Sequence, residues 1–306
     1  MSSSLVIPPP GDHGGDGPRL ANALGVPPEA VLDLSMSLNP FAPDVPALVA
    51  EHAAAVTRYP DPAAATDALA AAFDIEPDRV LLTNGGAEAI ALVAQAFPTG
   101  AVGALDFSLY ARHLRVLDPA GPRWRSNPNN PTGRLAAPHA TAAVWDEAFY
   151  PLAAGAWTRA DAAITLGSLT KVFACPGLRA GYVVTPAADM ATRLRAAQPQ
   201  WAVNALACAI VPELLDAADL PAWTAAIGRQ RDRVVALLRS RGLDPEPSDA
   251  NFVLVRKAPG LRQHCARRAV LLRDTASFGI AEGVRIAIPD DVGVERLTAA
   301  LEDYER

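Results

Sequence analysis

Lys171 stands in Gly167-Ser168-Leu169-Thr170-Lys171-Val172-Phe173-Ala174-Cys175-Pro176-Gly177-Leu178-Arg179. A lysine amine condenses with an aldehyde to a Schiff base, and Ser168, Thr170 and Arg179 carry the groups that hold a phosphate beside it. A lone lysine near a helix start is usually a surface residue, but two other segments change that reading. In Asn127-Pro128-Asn129-Asn130-Pro131-Thr132-Gly133, a turn by its chemistry, Asn130 offers an amide donor to a phenolate oxygen. In Trp145-Asp146-Glu147-Ala148-Phe149, the carboxylate of Asp146 ends an apolar run. Buried there it pairs with a protonated pyridine nitrogen; otherwise it is a solvated strand end. Gly85-Gly86-Ala87-Glu88 lies between a strand pattern and a helix pattern, where small residues let backbone N–H groups approach a phosphate. Glycine before a helix is common, so that signal is weak alone. Phe107 either stacks on a ring or is an ordinary core aromatic.

Composition narrows the partners. The chain has 306 residues, 50% of them hydrophobic and 20% charged, which suits one large globular domain or two smaller ones. A net charge of −6 argues against nucleic acid or an anionic membrane as partner. Lys171 and Lys257 are the only lysines, so an amine placed inside a motif reads as chosen for its chemistry. Cys175, Cys208 and Cys265 are far apart without C-x-x-C spacing, which excludes a disulfide framework or zinc knuckle and fits a reducing compartment. No metal site is expected. The N-terminus lacks a basic region followed by an apolar one, and the longest apolar run, Ala202 to Val211, is too short to span a bilayer. A cytoplasmic protein is expected.

These residues need elements to position them. The first 20 residues, rich in Pro and Gly, read as an extended arm. Strands are predicted over Val31–Leu34, Arg79–Leu82, Val102–Leu105, Ala142–Trp145, Ala162–Leu166 and Gly181–Thr185. Helices are predicted over Ala63–Phe73, from Thr83 to Phe97, and from Asp106 to Leu117. The alternation implies a mostly parallel sheet in an α/β domain, with the polar motifs just beyond strand C-termini. A long helical stretch from Ala187 to Ser240 leads into strands at Asn251–Arg256, Ala269–Arg273 and Val284–Ile288 and a helix from Val294, a smaller α+β domain. The predicted division is an arm over 1–34 packing on the small domain, a large domain over 35–205 and a small domain over 206–306.

The order Asn-Asn-Pro-Thr-Gly, Asp-Glu-Ala, Ser-Leu-Thr-Lys and Gly-Leu-Arg resembles the fold-type I pyridoxal-phosphate (PLP) enzymes, the aspartate aminotransferase superfamily, from about Asp12 to Arg285. The resemblance implies Lys171 as the Schiff-base residue and proton carrier, and Asp146 as partner of the pyridine nitrogen. It implies Asn130 on the ring hydroxyl, Phe107 stacked on the ring, and Gly86, Ala87, Glu88, Ser168, Thr170 and Arg179 around the cofactor phosphate. Tyr59 resembles a tyrosine that reaches the phosphate from a neighbouring subunit, which implies a homodimer. Two branches are similar: L-threonine-O-3-phosphate decarboxylase of cobalamin synthesis and histidinol-phosphate aminotransferase. His13-Gly14-Gly15, Phe149 in place of a tyrosine, and Gln200-Trp201-Ala202-Val203-Asn204-Ala205-Leu206 favour the decarboxylase. By the same resemblance His13, Asn39, Arg273 and Arg285 bind the substrate's phosphate or carboxylate.

The chain also departs from the family. Twelve residues separate Gly133 from Asp146 where a helix and a strand are expected, so the large domain is predicted to be pared down. Asp16 stands where the decarboxylases carry asparagine, and a negative charge sits poorly beside a phosphate. The expected function is PLP-dependent decarboxylation of threonine phosphate. The alternatives are an aminotransferase and a PLP-binding protein without turnover.

Overall fold

The structure is a computed structural model that describes residues 6–159 and 162–304; the first five residues of the predicted arm lie outside that range. The chain folds as two units. One comprises residues 41–130 and 135–224, the other residues 1–40, 131–134 and 225–306. The first unit thus runs on to Thr224, where the sequence places the end of the large domain at 205.

The unit over 41–130 and 135–224 is built on a sheet in the order Val80–Thr83, Gly181–Val184, Ile164–Gly167, Val144–Asp146, Trp124–Ser126. The last three run parallel, and only Gly181–Val184 is antiparallel to its neighbours. A short parallel pair, Thr99–Gly100 with Val116–Leu117, continues the sheet through a bridge from Ala101 to Arg123. Strands Val80–Thr83, Ile164–Gly167 and Gly181–Val184 are buried at every position, as a sheet covered on both faces requires. One core, centred on Leu81, Ile90, Val93, Tyr110, Trp124, Leu166, Val183 and Leu194, packs the helix Gly85–Ala96 on this sheet.

Three predicted elements shift. The strand predicted over Val102–Leu105 lies instead at Thr99–Gly100, because the Asp106 carboxylate accepts from the Gly103 N–H at 2.7 Å and turns the chain there. The helix predicted to Leu117 stops at His113; the N–H groups of Arg115 and Val116 turn to the Pro98 carbonyl and begin a strand. The stretch Ala187–Ser240 is three helices, Ala188–Ala197, Ala205–Asp216 and Leu220–Ser240. Pro199 disfavours helix at Gln198, and Asn204 caps the second helix by accepting from the Ala207 N–H at 2.9 Å.

The pared-down region proves specific. The strands Trp124–Ser126 and Val144–Asp146 are both present, but the connection between them carries no helix. A parallel crossover normally returns through one. Here the Arg159 guanidinium does part of that work. It lies 4.6 Å from the Trp145 ring and donates to the Pro138 and Ala140 carbonyls, tying the bare connection to the sheet.

The other unit holds a four-stranded sheet, Leu32–Leu34, Val270–Asp274, Val284–Ala287 and Phe252–Val255, the first pair parallel and the rest antiparallel. Its core gathers Leu34, Val234, Leu238, Val253, Leu272, Ile286 and Leu297. A second cluster, Leu20, Ala21, Val31, Ala266 and Leu271, seats the N-terminal helix Gly17–Leu24. No helix among the described residues is long and apolar enough to cross a membrane.

Candidate active site

Parallel strands end together, and here three such ends carry the chemistry. Asp146 closes Val144–Asp146 in register with Leu166, two residues before Ser168, and Ser126 in the next strand is its other partner. From Gly167 the chain forms the short helix Leu169–Val172, which bears Lys171, and turns back through Arg179 into Gly181–Val184. Thr170 pins that loop, its N–H and hydroxyl both donating to the Ala180 carbonyl, at 3.2 and 3.3 Å. The side chain of Asn204 adds a bond from Nδ2 to the Leu178 carbonyl at 2.7 Å. That gives the Trp201-Ala202-Val203-Asn204 segment a structural task beside its helix cap.

Asp146 is half-buried, and desolvation pushes its carboxyl up from the ordinary range while hydrogen bonds and the Lys171 charge pull it back. Oδ2 accepts from the Tyr110 hydroxyl at 2.7 Å and Oδ1 from the Ala148 N–H at 3.1 Å. Tyr110 is the functional residue that sequence reasoning missed. It is a completely buried aromatic in the helix Ser108–His113 whose hydroxyl finds a carboxylate. Asn130 is buried beside this centre, its N–H donating to Ser126 Oγ at 3.0 Å. Phe107 is half-buried and meets Tyr110 edge to face, with centroids 5.9 Å apart.

At the start of the helix Gly85–Ala96, Gly85 has φ +79°, and a Cβ there would run into the Arg179 guanidinium. A Cβ on Gly181 would stand 2.7 Å from the Gly86 nitrogen. These contacts place Arg179, Ser168 and the N–H groups of the helix start around one small volume, a cup for an anion. Ser168 and Thr170 are buried and Ala87 is exposed. Glu88 faces elsewhere, accepting from the Asn84 N–H at 2.6 Å and from Gln198 at 3.2 Å. A half-buried carboxylate, an amine, a buried amide and an anion cup fit an aldehyde cofactor that carries a pyridine ring and a phosphate. Tyr59 is 78% exposed and stacks on Trp201, centroids 4.6 Å apart.

Glu147, just beyond the strand that Asp146 closes, is wholly buried. Its Oε1 accepts from the Arg159 N–H at 3.3 Å, its Oε2 has no hydrogen-bond partner among the described residues, and desolvation outweighs the Thr158 and Arg159 hydrogen bonds to push its pKa up to about 7.

The predicted substrate residues lie in the other unit. Arg273 and Arg285 are register partners on adjacent antiparallel strands, so two buried guanidiniums share one face of the sheet. Like charges set opposite each other are unfavourable. Burial and the Arg273 charge lower the Arg285 pKa to about 9. Arg285 donates to the Ser35 carbonyl at 3.1 Å, and Arg273 to the carbonyls of Gly11 (2.9 Å) and Asp12 and to Ser277 Oγ (2.8 Å). Asn39 is buried and His13 exposed.

This combination of sheet and site defines a PLP enzyme. Residues 124–301 match the aminotransferase class I and II family, and the chain belongs to that family. Its fold is the mixed α/β fold of the aspartate aminotransferase-like, fold-type I enzymes, and its cofactor is pyridoxal 5'-phosphate. Histidinol-phosphate aminotransferase 1 of Dechloromonas aromatica is 27% identical over 339 aligned positions, covering 93% of this chain and 92% of that protein. Histidinol-phosphate aminotransferase of Halobacterium salinarum is 29% identical, covering 93% and 94%. The first alignment is longer than the 306 residues of this chain, so the relative carries segments that this chain lacks, consistent with its bare crossover. Among solved structures, L-threonine-O-3-phosphate decarboxylase from Porphyromonas gingivalis superimposes with a TM-score of 0.73 at 24% identity, over 89% of this chain and 98% of that one. Histidinol-phosphate aminotransferase from Sinorhizobium meliloti, solved with pyridoxal-5'-phosphate, gives 0.76 at 18%, over 98% and 96%.

Proposed function

We propose that the protein decarboxylates L-threonine O-3-phosphate to (R)-1-aminopropan-2-ol O-2-phosphate, a lyase step that supplies cobalamin synthesis. The observation that carries the reading is the paired burial of Arg273 and Arg285, two fixed positive charges suited to a substrate with a phosphate and a carboxylate. The arm residues His13 and Gly14 and the buried Asn39 and Phe149 support the decarboxylase over the aminotransferase.

When bound, PLP supplies an electron sink for the bond broken at the substrate's Cα. Lys171 anchors the cofactor and afterwards holds the proton that Cα receives. Asp146 keeps the ring nitrogen protonated, and Tyr110 fixes the carboxylate that does so. Arg179, Ser168, Thr170 and the glycine-rich helix start bind the cofactor phosphate, with Asn130 on the ring hydroxyl and Phe107 on the ring face. Arg273, Arg285, His13 and Asn39 hold the substrate's anionic groups, and that grip selects which bond at Cα is broken. Tyr59, exposed and stacked on Trp201, reaches the cofactor phosphate of a second copy in a homodimer.

A second reading is transamination of histidinol phosphate or a similar amino acid, favoured by the names of the curated relatives. Product analysis separates the two. Incubation with threonine phosphate is expected to release CO₂ and aminopropanol phosphate; a keto acid without CO₂ would overturn the decarboxylase reading. A Schiff-base absorbance band lost in Lys171→Ala, and present in the wild type, tests the anchor.

A further inference from the structure

Asn39 ends residues 35–39, a stretch without regular structure that follows the strand Leu32–Leu34. Two of the carbonyls in this stretch nevertheless share a fixed partner. The Asn251 side chain donates from Nδ2 to the Ser37 carbonyl at 3.0 Å and to the Leu38 carbonyl at 3.3 Å. Asn251 is completely buried, and its Oδ1 has no hydrogen-bond partner among the described residues. An unpaired buried amide oxygen destabilises a fold, so what this amide contributes lies at its Nδ2 end. Asn251 is itself held from several sides. Its own carbonyl accepts from the Ile288 N–H at 2.9 Å, and the strand Phe252–Val255 begins at the next residue. The N–H groups of Asp249 and Ala250 donate to the Gly133 carbonyl at 2.8 and 3.2 Å. Arg231 donates to the carbonyls of Asp249 and Ala250, both at 3.0 Å, and Ser248 Oγ to that of Phe252 at 2.6 Å. A loop fixed by that many bonds is the frame, and residues 37–39 hang from it.

We propose that Asn251 is a positioning residue: by gripping the two carbonyls before Asn39, it fixes where the Asn39 side chain meets the substrate. It touches neither substrate nor cofactor and acts only through Asn39. An amide suits the task, because one NH₂ group carries two donors and adds no charge. An apolar side chain of similar size would leave both carbonyls without this donor, and the backbone ahead of Asn39 would be free to shift. A displacement of about 1 Å at a binding group is costly even when the substitution lies elsewhere. The proposal rests on the reading that Asn39 holds the substrate's anionic group.

The test is a double-mutant cycle on the holoenzyme. Threonine phosphate or histidinol phosphate, whichever the wild type binds more tightly, is titrated in, and binding is read from the absorbance of the bound cofactor. Asn251→Ala is expected to weaken binding about 10-fold, from the loss of two hydrogen bonds. In an Asn39→Ala background the same substitution is expected to change binding less than about 2-fold, while its loss of Tm persists. A merely structural Asn251 would lower Tm and leave affinity alone, and that result overturns the proposal. An equal loss in both backgrounds also overturns it, because Asn251 would then act on the substrate by another route. Asn251→Ser takes over if Asn251→Ala does not fold. Its single hydroxyl can serve only one carbonyl, so binding about 3-fold weaker is expected. If Asn39→Ala weakens binding and neither Asn251 variant does, only the role of Asn251 fails. If Asn39→Ala alone leaves binding unchanged, the reading of Asn39 fails and takes this proposal with it.

Discussion

Tyr110 shows how much one hydroxyl does at the centre of this site. Its bond to Asp146 stabilises the charged form of a carboxylate whose pKa desolvation raises. A hydrogen bond to a charged group contributes about 1.5–3 kcal/mol, so Tyr110→Phe is expected to lower kcat about 10-fold or more while the cofactor stays bound. The steady-state rate and the cofactor's absorbance together check this. Glu147 gives the opposite case, a buried carboxyl without a full set of partners. Its folded pKa, about 7, lies above the ordinary 4.5, so the folded state binds the proton more tightly than the unfolded one. The resulting stability is fully present below about pH 4.5 and is lost as pH rises through 7. Glu147→Gln, which mimics the neutral acid, is therefore expected to raise Tm relative to wild type at about pH 8 and to match it near pH 4.5. A gain that does not depend on pH would refute the argument.

At the scale of elements, the close meeting of the loop before Gly181 with the start of the helix Gly85–Ala96 makes the anion cup. A methyl at Gly181 would press on the Gly86 nitrogen and Gly85 carbonyl carbon, both backbone atoms that cannot swing aside. Gly181→Ala is expected to cost about 1–3 kcal/mol of stability and to weaken cofactor retention, read by denaturant unfolding and by the bound-cofactor ratio. The bare crossover after Trp124–Ser126 shows a different economy. Short strands persist there without the usual helix because their register partners and the Arg159–Trp145 stack supply the contacts. The helix Ala63–Phe73 was legible to the residue, since an alanine-rich run after Pro62 leaves little alternative. The two-residue strands Thr99–Gly100 and Val116–Leu117 were not. Periodicity needs length, and their pairing depends on partners distant in sequence.

At the scale of the whole molecule, the proposed cofactor residues belong to one unit and the proposed substrate pair Arg273–Arg285 to the other. The proposed homodimer makes a further division, because Tyr59 would serve a neighbouring copy. Unfolding and refolding a mixture of inactive Tyr59→Ala and Lys171→Ala proteins is expected to restore about a quarter of wild-type activity, since half of the dimers then hold one intact site of two. No recovery in the mixture would show that Tyr59 acts within its own chain. The sequence by itself determined the cofactor, and its motifs supply the proposed anchor. Lys171 is one of only two lysines, and it, Asp146, Asn130 and Arg179 stand in short motifs; such chemistry is written locally. Only the tertiary structure decided that Tyr110 supports Asp146, that Glu147 is buried without a full set of partners, and that Arg273 faces Arg285 across a strand pair. Those facts depend on which distant residues share a volume and how much water is left there, and burial and register arise only when the chain has packed.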